Sequence, residues 1–445
     1  MPPLSTETLN QAFLTRKATI GVMGLGYVGL PLVKALGDQG FKVIGFDVDE
    51  GRVQTLQKGT SYIKSFPQSS LELLLKEKRF EATHNPKDLS RMDAILICVP
   101  TPLTRHREPD MSYVIASAET ILPNLQAGQL IVLESTTYPG TTQEVVIPIL
   151  ERSGLRAGKD FFVAYSPERE DPGNPQYATS TIPKVVGADD PISRLLAVSL
   201  YTQIVPKVVE VSSAATAEAV KLTENIFRCI NIAMVNELKV IYSEMGIDIW
   251  EVIDAAKTKP FGFMPFYPGP GLGGHCIPID PFYLTWKARE YGVSTRFIEL
   301  AGEVNTAMPD YVIAQLREAL DARFQKALSS SRILLIGMAY KKNVDDIRES
   351  PSLAIFEALH TKGAHVDYYD PYVPIVHKSR EHPIINGKAS IAWTKESLNT
   401  YDAVLICTDH DAIDYEFLLA NSKLVVDTRN ATHRVQGKKE NVVKA

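Results

Sequence analysis

The residues with the most chemical potential lie in one short run, Pro268-Gly269-Pro270-Gly271-Leu272-Gly273-Gly274-His275-Cys276-Ile277-Pro278-Ile279-Asp280. Glycines let a ligand approach the backbone closely, and here they lead straight into a thiol. A thiol adds to an aldehyde as a thiohemiacetal; loss of a hydride from that adduct leaves a thioester, and water then releases a carboxylate. Thiolate formation needs a local positive field. The plainer reading of a cysteine is a small buried hydrophobe, which suits Cys98 and Cys407 inside apolar strands and Cys229 on a helix. Asp280 reads two ways that are compatible: a carboxylate near the thiol, ordering a water or a lysine, and the N-cap of a helix with Pro281 at its first position. His275 stands open between a base, a substrate contact and a packing group.

A second group is Gly24-Leu25-Gly26-Tyr27-Val28-Gly29 near the N-terminus. GxGxxG alone is a weak signal, but this one follows an apolar run at Ala18–Met23 and opens a helical pattern. In that setting the glycines permit the tight turn, the approach of a pyrophosphate and close helix–strand packing, and the helix N-terminus offers N–H donors to the phosphates. Asp47 ends the next strand, 21 residues after Gly26, where its carboxylate would accept from an adenosine ribose. That favours NAD, while the nearby Arg52 leaves NADP open. A third group, Lys221 and Asn225, sits four residues apart on one helical face. Aimed into a cleft they would stabilise an alkoxide or oxyanion; otherwise they are a solvated face. Three polar loops follow predicted strands, where ligands bind in such folds: Val99-Pro100-Thr101-Pro102, Glu134 to Thr141 with Thr136, and Tyr165 to Glu170 with Glu168 and Arg169.

The elements that must position these groups are read from periodicity. Strands are predicted at Ala18–Met23, Lys42–Asp47, Asp93–Val99, Leu130–Glu134, Phe161–Tyr165 and Lys184–Val186, with helical segments such as Pro31–Asp38 and Ser70–Lys76 between them. Alternation of this kind gives an α/β fold with a parallel, doubly wound sheet. From Ser212-Ser213 to about Met245 neither proline nor glycine occurs. This predicts one helix of about 30 residues and 45–50 Å, with Ser212 as N-cap, Gly246 as stop, and a role in joining domains and carrying a dimer interface. A second alternating block has strands at Ile333–Gly337, His365–Tyr369, Ala403–Cys407 and Leu424–Asp427. Its first turn, Gly337 to Ser350, lacks GxGxxG but is polar and cationic, suited to a phosphorylated ligand. Residues 436–445 read as a polar tail. Together these give two Rossmann-like sheet domains, 1–210 binding NAD and 326–445 at the C-terminus, joined by a helical domain at 211–325 that holds the cysteine loop.

The bulk numbers agree. The 445 residues are too many for one core. Hydrophobic residues make up 45% and charged residues 22%, with a net charge of −5, so nothing favours nucleic acid or an anionic membrane. Four scattered cysteines give neither a disulfide framework nor a zinc site, which fits a reducing cytoplasm. No metal is expected. No signal segment is visible at the N-terminus, and no apolar run approaches the roughly 20 residues of a membrane helix.

Taken in order, these motifs resemble the UDP-glucose/GDP-mannose dehydrogenase family of nucleotide-sugar 6-dehydrogenases, from Ile20 to about Asn430. The likeness is greatest to the branch acting on UDP-N-acetylglucosamine, through Gly269 to Tyr283, Glu134 to Thr142 and Ser166 to Asn174. The resemblance implies an NAD-dependent four-electron oxidation of a UDP-sugar in the service of surface polysaccharide or O-antigen synthesis. By it, Cys276 is the nucleophile, Lys221 and Asn225 stabilise oxyanions, Asp280 assists with a water held by Thr136, and Glu168 activates or positions water. The implied cofactor contacts are Gly24, Gly26, Tyr27, Val28, Gly29, Asp47, Arg52, Thr101 and Thr136. Substrate contacts extend to Arg169, Tyr267, Gly271, Gly273 and His275, and the second sheet becomes a UDP-binding domain in which Lys341, Arg348 and Arg429 meet the diphosphate or uridine. The long helix implies a homodimer, with higher homo-oligomers open. One departure stands out: the UDP-glucose branch usually has a lysine before the aspartate of the cysteine loop, and here that residue is Ile279. UDP-ManNAc, UDP-GalNAc and UDP-glucose remain alternatives as substrate, as do a two-electron dehydrogenase with a structural Cys276 and a non-catalytic nucleotide-sugar binder.

Overall fold

The computed structural model describes residues 6–63, 66–104, 106–169, 180–274, 277–377, 379, 382–437 and 439–445. The chain forms two compact units, Met1–Glu224 with Phe282–Val293 and Asn225–Pro281 with Ser294–Ala445.

The first unit holds an eight-stranded sheet: β1 (Thr19–Met23), β2 (Lys42–Phe46), β3 (Phe80–Thr83), β4 (Ala94–Ile97), β5 (Leu130–Leu133), β6 (Phe162–Tyr165), β7 (Lys184–Gly187) and β8 (Val208–Val211). Its order is β3-β2-β1-β4-β5-β6-β7-β8. The chain winds outward one way from β1 to β3 and then the other way from β4, so a topological switch point lies between β1 and β4. The central strands are apolar along their whole length and buried on both faces, as parallel strands covered by helices must be. The expectation of a wholly parallel sheet needs one correction: β6 and β7 are antiparallel, joined through Tyr165 and Gly187. Strands β3 and β8 were not anticipated. Each has only four residues, and β8 carries no fully buried side chain, so neither presents a clear apolar run.

The second unit holds a parallel five-stranded sheet: β9 (Arg332–Ile336), β10 (His365–Tyr369), β11 (Ala403–Ile406), β12 (Val425–Asp427) and β13 (Val442–Lys444). The order is β10-β9-β11-β12-β13. The predicted polar tail is therefore partly wrong, because Val442–Lys444 adds an edge strand beside β12. The long helix runs from Ala214 to Glu244. Its start is held by Ser213, whose Oγ accepts from Thr216 N at 3.1 Å, in place of the predicted Ser212. Its end is set by Gly246, which takes φ 69°, a conformation glycine adopts without steric cost. A helix at Asp280–Glu290 follows the glycine-rich loop, and a second long helix spans Arg296–Phe324.

Candidate active site

In the first unit the turn after β1 is built as a dinucleotide turn requires. Gly24 has φ 97°, and a Cβ there would stand 2.6 Å from the Cys98 carbonyl oxygen. A Cβ on Gly29 would stand 1.9 Å from the Gly24 carbonyl oxygen, so helix Gly29–Asp38 can meet the strand only through a glycine. Gly26 differs: nothing lies within 4 Å of its missing Cβ, which leaves its backbone open to a pyrophosphate. Asp47 is buried; its Oδ2 accepts from Leu25 N at 2.8 Å and its Oδ1 from Asp49 N at 2.9 Å. These two bonds fix the carboxylate at the tip of β2 and leave lone pairs for ribose hydroxyls. Arg52 lies 3.7 Å from Asp47. Tyr27 is exposed, Val28 precedes the helix without a side-chain cap, and Thr101 is buried in the loop after β4. The residues present fit a dinucleotide.

At the far end of the same sheet, three charged residues meet in a buried cluster. Lys184 Nζ lies 2.5 Å from Glu134 Oε2 and 3.3 Å from Glu168 Oε2, and Tyr201 OH donates to Glu134 Oε1. Burial raises the Glu134 carboxyl against the pull of Lys184. Burial acts on Lys184 in the opposite sense, yet the two carboxylates hold its ammonium above the ordinary value. Glu168, predicted for water handling, therefore has a cation beside it. Its other oxygen accepts from Arg169 N at 2.7 Å. The Arg169 guanidinium is engaged by Glu224 at 2.5 Å and the Pro183 carbonyl at 2.7 Å. Thr136 is half-buried in the loop after β5. That loop is tied to the long helix by Glu218, which accepts from Gly140 N at 2.6 Å, Thr142 N at 2.9 Å and Thr142 Oγ1 at 2.7 Å. Burial pushes Glu218 up to about 7 in spite of these bonds.

Lys221 and Asn225 are both buried on the long helix, one turn apart. In the second unit Asn225 Nδ2 donates to Asp280 Oδ2 at 2.5 Å, and Asp280 is buried. The structure thus joins two of the predicted site residues directly. Cys276 and His275 lie outside the described residues, as does the stretch 170–174 of the Ser166 motif. The other three cysteines are buried, and burial pushes Cys229 to about 11 and Cys407 to about 12. They are inert packing groups. The loop before Cys276 is braced from below: Gly269 N donates to Asn236 Oδ1 at 3.0 Å, and Asn236 in turn donates to Asn305 Oδ1 at 2.9 Å. Gly271, at φ 137°, and Gly273 give their side-chain space to neighbours; a Cβ on Gly273 would stand 2.7 Å from Tyr340 Cβ. Tyr267 stacks on Trp250 with ring centres 5.7 Å apart.

Of the cations predicted in the second sheet, Arg348 is exposed and forms a two-pronged pair with Asp346 at 2.6–3.0 Å. Lys341 is half-buried. Arg429 Nε donates to the Cys407 carbonyl at 3.0 Å, and its guanidinium lies against Gly269, where a Cβ would be 2.3 Å from Nη1. Sequence reasoning named Glu134 only as the start of a polar loop, without its buried partners, and missed Lys184, Glu218, Asn236 and Lys239. The available signal was a polar residue within an otherwise apolar periodic run, which periodicity alone treats as an outward position. No group of three or more side chains suited to a metal occurs among the described residues.

Comparison with known proteins covers nearly the whole chain. The model of the UDP-glucose/GDP-mannose dehydrogenase NAD binding domain matches residues 18–205, that of the central domain 215–307, and that of the UDP binding domain 334–434. UDP-N-acetyl-D-glucosamine 6-dehydrogenase of Pseudomonas aeruginosa is 37% identical over 88% of this chain and 90% of its own length. UDP-N-acetyl-D-mannosamine dehydrogenase of Pyrococcus horikoshii is 33% identical over 92% and 95%. The solved structure of UDP-D-ManNAc dehydrogenase from Pyrococcus horikoshii superposes with a TM-score of 0.85 at 30% identity, over 96% of this chain and 98% of the other.

Proposed function

Since the chain belongs to the UDP-glucose/GDP-mannose dehydrogenase family and is an NAD-dependent UDP-sugar dehydrogenase, we propose that it oxidises UDP-N-acetyl-D-glucosamine at C6 to the uronic acid in two steps. The observation that carries the reading is the buried Asn225–Asp280 hydrogen bond, which ties the helix bearing Lys221 to the aspartate four residues beyond Cys276. NAD, when bound, accepts the hydride of each oxidation.

The protein's own groups do the rest. Lys221 and Asn225 stabilise the alkoxide of the C6 alcohol and later the oxyanions at that carbon. Cys276 Sγ bonds to the aldehyde carbon, and loss of the second hydride turns the adduct into a thioester. Asp280 and Thr136 hold a water, and Glu168, beside Lys184, draws a proton from the attacking water. The C–S bond breaks and the thiol returns. Over the cycle one water enters, and two hydrides and three protons leave as the alcohol becomes a carboxylate.

Around this chemistry we assign residues 1–210 to NAD binding, 211–325 to the cysteine loop and dimer core, and 326–445 to UDP. The active species we propose is a cytoplasmic homodimer that feeds surface polysaccharide synthesis. Exposed Phe227, Met234 and Ile241 recur every seven residues along the long helix, an apolar stripe of the kind two helices bury together. Among the described residues no helix is long and apolar enough to cross a membrane.

The deciding experiment measures NADH formed per sugar with limiting UDP-GlcNAc and excess NAD. Two NADH and a uronic acid support the reading; one NADH and an aldehyde replace it with a two-electron dehydrogenase. A higher kcat/KM for UDP-ManNAc, UDP-GalNAc or UDP-glucose reassigns the sugar.

A further inference from the structure

Lys184 stands where a wholly parallel sheet would not put it. It is the first residue of β7, and in a parallel sheet the first residues of strands lie away from ligands, which gather at the carboxyl ends. Strand β7 runs against β6, with Tyr165 paired to Gly187. Counted on from that pair, forward along one strand and back along the other, Glu168 comes opposite Lys184. Two bonds keep this register beyond the ladder: Ser166 Oγ donates to the Val185 carbonyl at 2.8 Å, and Arg169 Nη1 donates to the Pro183 carbonyl at 2.7 Å. The reversed strand thus delivers an ammonium to the carboxyl ends of β5 and β6. The titratable groups facing it are Cys98 just past β4, Glu134 just past β5, Glu168 beyond β6, and Tyr201 at the end of the helix Pro191–Tyr201. Its Nζ lies 2.5 Å from Glu134 Oε2, 3.3 Å from Glu168 Oε2 and 5.2 Å from the centre of the Tyr201 ring. Tyr201 OH donates to the other Glu134 oxygen. The Glu134 side chain has 0% exposure and that of Glu168 has 13%. One carboxylate is therefore spent in the interior, as the counter-ion that makes a buried ammonium tolerable. The other stands at the rim with the same ammonium behind it.

We propose that Lys184 is a positioning residue for thioester hydrolysis: it holds the Glu168 carboxylate ionised and in place, while Glu134 and Tyr201 hold Lys184. The task of Glu168 rests on the proposed function; the placement of Lys184 does not. In this step the water oxygen bonds to the thioester carbon and the C–S bond breaks. One water proton passes to Glu168 and on to solvent, the other ends on the Cys276 sulfur, and a carboxylate leaves with no change in oxidation state. The proposed hydride transfers do not draw on Glu168, so the contribution of Lys184 falls on the last step alone.

The test follows NADH by stopped flow at saturating UDP-GlcNAc and NAD, and weighs the quenched full-length protein by intact mass. Lys184→Met should release two NADH per site in a burst and then turn over about tenfold or more slower than wild type, with the sugar held as a thioester on Cys276. The kcat should fall while kcat/KM stays within about twofold, because only a step after both hydrides has slowed. The acid limb of the pH profile for hydrolysis should move up by about one unit or more, because Glu168 loses its cation and keeps Glu134 as a neighbour. Removal of Lys184 alone strands Glu134 in the interior. Lys184→Met combined with Glu134→Gln leaves no unpaired charge there; it should show the same burst and slow phase at a Tm near that of the wild type. A steady-state rate within about twofold of wild type in the double variant, or kcat and kcat/KM falling together without a burst, would overturn the positioning role and leave the two-step oxidation standing. A wild type that yields one NADH per sugar and no thioester would sink the proposed function, and the role of Lys184 with it.

Discussion

At the scale of single residues, the chemistry divides between groups that react and groups that hold them. Cys276→Ala removes the atom on which we propose the aldehyde is held. Acid formation should fall by about a thousandfold or more, while UDP-sugar binding, followed by calorimetry, persists; an unchanged rate of acid production would remove the covalent step. Asn225→Ala leaves Asp280 buried without its 2.5 Å donor and strips the oxyanion site of one hydrogen bond. A drop of about a hundredfold in kcat with little change in KM is the expected signature, read from initial rates at saturating NAD. Substitution of a residue that only packs would instead move Tm and leave the ratio of kcat to KM intact.

At the scale of elements, the loop after β5 depends on one carboxylate. Glu218 satisfies three donors from residues 140–142, and glutamine would turn an amide N–H₂ toward at least one of them. Glu218→Gln should destabilise the fold by about 1–3 kcal/mol at pH 6. The pH dependence has a definite sign. The folded pKa is raised to about 7 from an ordinary 4.5, so between those values the folded state binds more protons than the unfolded one. The stabilisation is full below pH 4.5 and is lost as pH rises toward 7; the glutamine variant should lack that slope in chemical denaturation across the window. This loop also marks how far sequence reasoning reaches. The dinucleotide turn was legible from its glycine spacing, the long helix from a run without glycine or proline, and most strands of both sheets from their continuous apolar runs. Glu218 and Lys184 were not, since a charge inside an apolar run reads as a surface position until its partners, 76 and 50 residues distant, are known. Strand β13 escaped for a different reason: its two valines stand alone in the polar stretch 436–445.

At the scale of the molecule, the homodimer we propose rests on the exposed apolar stripe of the long helix. Placing a charge at its centre, as Met234→Glu with Ile241→Glu, should convert a dimer to a monomer in sedimentation equilibrium. A wild-type protein already monomeric at micromolar concentration would remove the dimer from the proposal. The net charge of −5 gives no long-range attraction to the anionic UDP-sugar; if its capture rests on local cations such as Arg429, as we propose, added salt should weaken it by screening.

The turns after β1 and β9 repeat a single device. In the first sheet Asp47, at the tip of the neighbouring strand, accepts from Leu25 N; in the second, Asp370 just past β10 accepts from Met338 N at 2.7 Å and Ala339 N at 3.1 Å. The copies then part ways. Asp370 carries His410 Nε2 at 3.1 Å, and that histidine is wholly buried. Asp47 has instead the solvent-facing Arg52 at 3.7 Å. One carboxylate stays at the turn we propose for the coenzyme's ribose, and the other is closed off by a buried imidazole. With the Asp370 carboxylate engaged by two backbone N–H groups and an imidazole, we propose that the second turn offers no place to the coenzyme's ribose and leaves NAD to the first sheet.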